Sequence, residues 1–124
     1  MNPNKDSQVT DSNDQELSWL DQLNQLLLDN ISTYSLSNDW LAQQLNISVR
    51  TFYRKVSERT GLSPTHYIRA VRMQKAMELL ESGDYTNVKQ VTAAVGFKKS
   101  TYFSQLFKEA FGKNPIEVLN KKWN

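Results

Sequence analysis

The chain has 124 residues, 15 Lys and Arg against 13 Asp and Glu, one His and no Cys, so it is sized for one domain with a buried core, and a disulfide framework or thiolate metal site is excluded. No apolar run approaches the roughly 20 residues of a membrane helix, and "MNPNKDSQVTDSNDQ" holds no apolar leader, so a soluble cytoplasmic protein is expected. The net charge of +2 hides a division: residues 1–39 carry one lysine against seven acids, net −6, whereas residues 40–124 carry 14 basic against six acidic side chains, net +8, a balance suited to a polyanionic partner.

Residues 1–15, polar and acidic, are expected to form a disordered lead or linker. From Glu16, Leu20, Leu23, Leu27 and Ile31 follow helical spacing. "STYSLSND" interrupts it, and Ser37 is placed to cap a helix carrying Trp40, Leu41 and Leu45. "NIS" turns the chain into a helix over 49–60 that stops at Gly61. Ser63 and Pro64 then start a long helix over 64–82, with Ile68, Val71, Ala76, Leu79 and Leu80 facing inward. Asn87 and Gln90 have capping-box spacing for a short helix to Val95. Gly96-Phe97 leads into a helix over 99–111 ended by Gly112, and Asn114, Pro115 and Glu117 open a last helix, 115–123, that includes Trp123. No alternating strand pattern of useful length occurs, so the fold is expected to be all-α with about seven helices.

The chain nearly repeats itself. "LAQQLNISVRTFYRKVSERTGLSP" superposes on "VTAAVGFKKSTYFSQLFKEAFGKNP": Leu41, Ala42, Leu45, Asn46 and Ile47 fall on Val91, Thr92, Val95, Gly96 and Phe97 at an offset of 50, and Phe52, Val56, Gly61 and Pro64 fall on Phe103, Phe107, Gly112 and Pro115 at 51. Each copy is a short helix, a tight turn with Asn or Gly where a positive φ is needed, and a second amphipathic helix. That is the helix-turn-helix pattern, expected over 38–61 and again over 87–112. Leu41, Leu45, Ile47, Phe52 and Val56 clamp the first pair of helices, and Ala42 lets them cross closely, a task Thr92 inherits in the second copy. The outer face of such a second helix fits the DNA major groove, about 12 Å wide, where its early side chains meet base edges and its cations meet phosphates. The candidate base-reading residues are Arg50, Thr51, Tyr53 and Arg54 in the first copy and Ser100, Thr101, Ser104 and Gln105 in the second; Ser48, Lys55, Lys98 and Lys99 are the phosphate candidates. Arg matches guanine O6 and N7, and Gln matches adenine.

These residues resemble the DNA-binding domain of the AraC family of bacterial transcription regulators. The resemblance covers roughly 38–118 and rests on "LAQQLNIS..TFYRKV....GLSPTHYI...R...A..LL" followed by "V..VGF....YFSQLFKEAFGKNP". It implies two helix-turn-helix subdomains joined by the 64–82 helix, which holds recognition helices 49–60 and 99–111 for successive major grooves about 34 Å apart. It further implies double-stranded DNA and RNA polymerase as partners, no membrane contact, and a sensing or dimerisation domain N-terminal in a longer parent. Residues 1–33 are similar to the segment that joins such a domain, so the chain is expected to be a C-terminal output domain, as in hybrid two-component regulators. Three positions depart from the family pattern: Gln105 stands where Arg is usual, Thr92 where Ala is usual, and Val118-Leu119 where Tyr-Arg is usual. The first two predict that the first copy carries more of the sequence-specific energy, and the last predicts looser C-terminal packing.

The same residues admit other readings. Tyr102, Phe103, Phe107 and Phe111 are expected in the core rather than on a base-stacking surface, and Trp19, Trp40 and Trp123 buried or half-buried. Arg72, in mid-connector, suits either a structural salt bridge or a phosphate contact. His66 has no partner at metal-ligand spacing, and no nucleophile–base pair, phosphate loop or carboxylate dyad is present, so neither an enzyme nor a cofactor is expected. The alternative function is a helical protein-interaction module that keeps the helix-turn-helix shape without specific DNA binding.

Overall fold

In a computed structural model, which describes residues 19–121, seven helices and no strand are found among the described residues. They are α1 (19–29), α2 (Asn38–Gln44), α3 (Val49–Thr60), α4 (Pro64–Ser82), α5 (Val88–Ala94), α6 (Ser100–Phe111) and α7 (Pro115–Lys121). The acidic lead, the helix start at Glu16 and the end of the last helix at Trp123 lie outside the described residues.

Local chemistry explains most boundaries. Ser37, Ser48, Ser63 and Asn87 each accept a hydrogen bond from the backbone N–H three residues on, at α2, α3, α4 and α5, satisfying a donor that a helix start leaves free. The anticipated Asn87–Gln90 box closes one residue early: Gln90 Oε1 accepts from the N–H (3.0 Å) and hydroxyl (3.1 Å) of Thr86. Both α3 and α6 end at a left-handed glycine, Gly61 and Gly112, each with φ 75°. Ile31, spaced as the last apolar residue of α1, instead lies in the turn after it.

The chain builds two cores rather than one. In the first, Trp19, Leu23 and Leu27 of α1 meet Leu41 and Ala42 of α2 and Phe52 and Val56 of α3, with Tyr67, Ile68 and Val71 of α4 against them. In the second, Met73, Ala76 and Leu80 of α4 meet Val91 and Val95, then Phe103, Leu106 and Phe107, then Val118 and Leu119. Helix α4 is thus shared, its first half serving one core and its second half the other. The Tyr67 hydroxyl donates to Asn24 Oδ1, tying α4 to α1. Val118 and Leu119 are 7% and 3% exposed. The looser C-terminal packing expected of this pair is therefore corrected: two aliphatic side chains complete the second core.

Candidate nucleic-acid interface

The two turns that set α3 and α6 against their preceding helices have the same construction. In the first, Leu45 N–H donates to the Leu41 carbonyl (3.1 Å), Asn46 to Gln43 (3.1 Å) and Ile47 to Ala42 (3.1 Å). In the second, Val95 donates to Val91 (3.1 Å), Gly96 to Ala93 (3.1 Å) and Phe97 to Thr92 (3.0 Å). Asn46 and Gly96 supply the positive φ at this point, 60° and 85°. Ala42 and Thr92 are both buried at the crossing. Threonine fits because its hydroxyl donates back to the Val88 carbonyl of its own helix at 2.8 Å, leaving no unpaired polar group in the crossing.

On α3, Phe52 and Val56 face the core and Arg50 and Arg54 face solvent one turn apart. Arg54 Nη1 lies 3.4 Å from both carboxylate oxygens of Glu58, an exposed pair one turn further along. Tyr53 is 45% exposed, and its hydroxyl accepts from Asn38 Nδ2 at 2.9 Å, so the start of α2 steadies it. Thr51 is half-buried beside Ser48: the Ser48 hydroxyl accepts from Thr51 N–H (3.1 Å) and donates to Thr51 Oγ1 (3.0 Å). Lys55 sits on another flank, with Nζ 5.0 Å from the Trp19 ring centre, beside Arg59 at 5.5 Å from the same ring. The structure therefore brings Arg50, Tyr53 and Arg54 together and sets Lys55 apart, against α1.

Helix α6 repeats this layout with different chemistry. Phe103, Leu106 and Phe107 are buried, Thr101 and Gln105 are exposed, and Ser100 and Ser104 are half-buried on one flank. At the offset of 51, Thr101 and Gln105 occupy the places of Arg50 and Arg54. Lys99 is the N-cap residue of α6 and makes no side-chain cap bond. Lys98 Nζ lies 5.5 Å over the Tyr34 ring.

A cleft of about 570 Å³ runs between the two units, with Asn38 on one wall, Lys98 and Tyr102 on the other, and Arg69 from α4. Asn38 ties this wall to Tyr53 of α3, and Tyr102 brings the first turn of α6 to the opposite wall. Tyr102 corrects the sequence expectation: it is 48% exposed rather than core, in a T-shaped contact with Phe97 whose ring centres lie 6.0 Å apart, while Phe103 and Phe107 are fully buried and Phe111 half-buried. Asn38, Tyr34 and Glu58 were missed by sequence reasoning. Only Glu58 had a local signal, its four-residue spacing from Arg54.

Arg72 is corrected as well. It is 6% exposed, and its guanidinium donates to the carbonyls of Ile31, Thr33 and Val95, where a carboxylate or phosphate partner was expected. Burial lowers its pKa from the ordinary arginine value. His66 Nδ1 lies 2.8 Å from Ser63 Oγ at the start of α4. Among the described residues, no three His, Asp or Glu side chains gather as a metal-binding group, and no helix is long and apolar enough to cross a membrane.

Comparison with known proteins extends the picture. A family model described as "Helix-turn-helix domain" matches residues 41–121. The HTH-type transcriptional activator RhaS of Klebsiella pneumoniae is 34% identical over 99 residues, 78% of this chain and 35% of that protein. Histidine kinase P4 of Formosa agariphila is 30% identical over 93 residues, 75% of this chain and 7% of that protein. This chain thus spans about a third of the first relative's length and far less of the second's. Among solved structures, the C-terminal domain of AraT, a response regulator from Geobacillus stearothermophilus, aligns with TM-score 0.72 at 28% identity, covering 83% of this chain and 84% of that one. The DNA-binding domain of AdpA, a global transcriptional factor solved in complex with a target DNA, aligns with TM-score 0.72 at 25% identity, covering 82% and 90%.

Proposed function

The chain belongs to the AraC family of transcription regulators, as a helix-turn-helix DNA-binding domain, and from that premise we propose that it binds double-stranded DNA sequence-specifically to regulate bacterial transcription. The observation that supports this reading is the duplicated unit, in which two turns with matching backbone hydrogen bonds seat α3 and α6 against their preceding helices and leave the outer face of each exposed. In this reading the helices enter successive major grooves, about 34 Å apart along one face of the duplex. Arg50 and Arg54 read guanine edges, Tyr53 and Thr51 support them, and Ser100, Thr101, Ser104 and Gln105 read the second half-site. Lys98 and Lys99, at the start of α6, meet phosphates, and Ser48 does so at the start of α3. Lys55 reaches a phosphate only by leaving the Trp19 ring.

The matched kinase and the response-regulator domain support a finer reading, in which the chain is the output domain of a longer two-component regulator. Its sensing region then lies N-terminal, RNA polymerase is its second partner, and it works in the cytoplasm. The test is selection of bound sequences from a random DNA pool, followed by titration against salt. Two short motifs about one helical turn apart are expected, with log affinity falling with log salt by about 0.9 per neutralised phosphate. No enrichment together with a flat salt dependence would replace this reading with a protein-interaction module.

A further inference from the structure

The two cores are separate clusters joined along the chain by α4, and a single helix between two bodies can bend. The joint is braced around the middle of α4 by polar contacts as well as by packing. Val71 packs on the first core and Met73 belongs to the second, so Arg72 stands at the crossover. Its guanidinium forks two ways. It donates to the carbonyls of Ile31 and Thr33 in the strap between α1 and α2, and to the carbonyl of Val95 at the end of α5. Its face lies 5.9 Å from the Phe97 ring centre in the second turn. The Ile31 side chain meanwhile packs against the second core, so the strap reaches across the joint both by its backbone and by its side chain.

Gly96 shows how closely the parts fit. A Cβ there would fall 1.6 Å from Arg72 Nη1 and 2.4 Å from the Ile31 carbonyl oxygen. The positive φ of this residue suits glycine or asparagine, but only glycine leaves space for the guanidinium. Three segments distant in sequence thus meet on one planar, five-donor group, which an ammonium cannot reproduce.

We propose that Arg72 is a positioning residue that fixes the setting of α6 relative to α3 by clamping the α1–α2 strap to the α5–α6 turn. Resting on the DNA-binding reading, it thereby fixes the spacing between half-sites that the protein accepts. It does so without touching DNA.

The experiment uses the full chain and two readouts. The chain has no cysteine, so spin labels at Gln43→Cys and Ala93→Cys, exposed equivalent positions of the two units, report the inter-unit distance without DNA. The distance distribution should be narrow in the parent and broad in Arg72→Lys and Arg72→Met, with helicity by circular dichroism unchanged. On DNA, lengthening the spacer by two base pairs turns the second groove by about 70°, and simultaneous engagement is lost when the geometry forbids it. The parent should therefore lose about tenfold or more in affinity on that insertion, against about twofold for Arg72→Lys, with binding to an isolated half-site unchanged. An unchanged, narrow distribution in both variants would overturn the proposal. So would loss of helicity in both, since the guanidinium would then hold up the whole fold rather than a joint between folded units. If the parent selects no DNA, the DNA-binding reading fails while the label distances still decide the clamp.

Discussion

In the proposed base-reading role, Arg50 and Arg54 differ in how free their side chains are. Among the described residues Arg50 makes no ion pair, whereas Arg54 lies against Glu58. A bidentate arginine–guanine pair discriminates by about 1–3 kcal/mol, so Arg50→Ala is expected to relax preference at one base pair by that amount while leaving affinity for random DNA nearly unchanged. Competition titrations on singly substituted sites check this, and equal losses on specific and random DNA would remove Arg50 from the base-reading set. For Arg54 the expectation runs the other way. An exposed pair such as Arg54–Glu58 contributes about 0–1 kcal/mol, and the carboxylate also faces any phosphate brought near it. Glu58→Gln should therefore tighten binding to the selected site by up to about fivefold; unchanged or weaker binding would place Arg54 outside the interface. The outward phase of both arginines was legible, because Phe52 and Val56 mark the inner face of α3. The bonds that hold neighbouring side chains were not: Asn38 meets Tyr53 across 15 residues, and no spacing rule connects them.

At the scale of the element, the two recognition helices differ most in how they begin. The turn before α6 is one residue longer, so the capping position filled by Ser48 at α3 is filled by Lys99 at α6. A lysine has no acceptor to offer the free N–H groups of the first turn, and its charge opposes the positive end of the helix dipole. We expect Lys99→Ser to raise stability by about 0.5–1 kcal/mol, seen as a higher Tm. It should also weaken binding to all sequences alike and lower the salt slope by about one unit. A lower Tm would refute the cap argument, and unchanged affinity would refute the phosphate assignment, so the two effects separate cleanly. Helix starts were legible because Ser63-Pro64, Ser37 and Asn87 act through neighbours three residues away. Two departures came from tertiary demands. Ile31 leaves helical spacing to pack on the second core, and Tyr102 turns outward beside Phe97 although three of its aromatic neighbours on α6 turn inward or half inward.

For the whole molecule, the repeat made two units and a connector legible, since each copy carries its own apolar clamp. The relation between the copies was not. Arg72 finds its partners 41, 39 and 23 residues away, and a lone arginine in mid-helix gives no local sign of where its donors go. The same comparison of copies leads to an asymmetry in function. The first unit presents Arg50 and Arg54 where the second presents Thr101 and Gln105, and charged hydrogen bonds are about twice as strong as neutral ones. In the proposed reading the second unit compensates at its edge, where Lys98 and Lys99 would add charge without base preference. Scrambling the half-site whose preference Arg50→Ala relaxes should therefore cost more affinity than scrambling the other. The difference should be about 1–3 kcal/mol, roughly one extra arginine–guanine pair. Raising the salt concentration should weaken binding without closing that gap, because the counterion term is common to both scrambled sites. Competition titrations at two salt concentrations measure both quantities. Equal costs would mean that the hydroxyl and amide face of α6 reads bases as firmly as the arginine face of α3; a gap that shrinks with salt would assign the difference to phosphates instead.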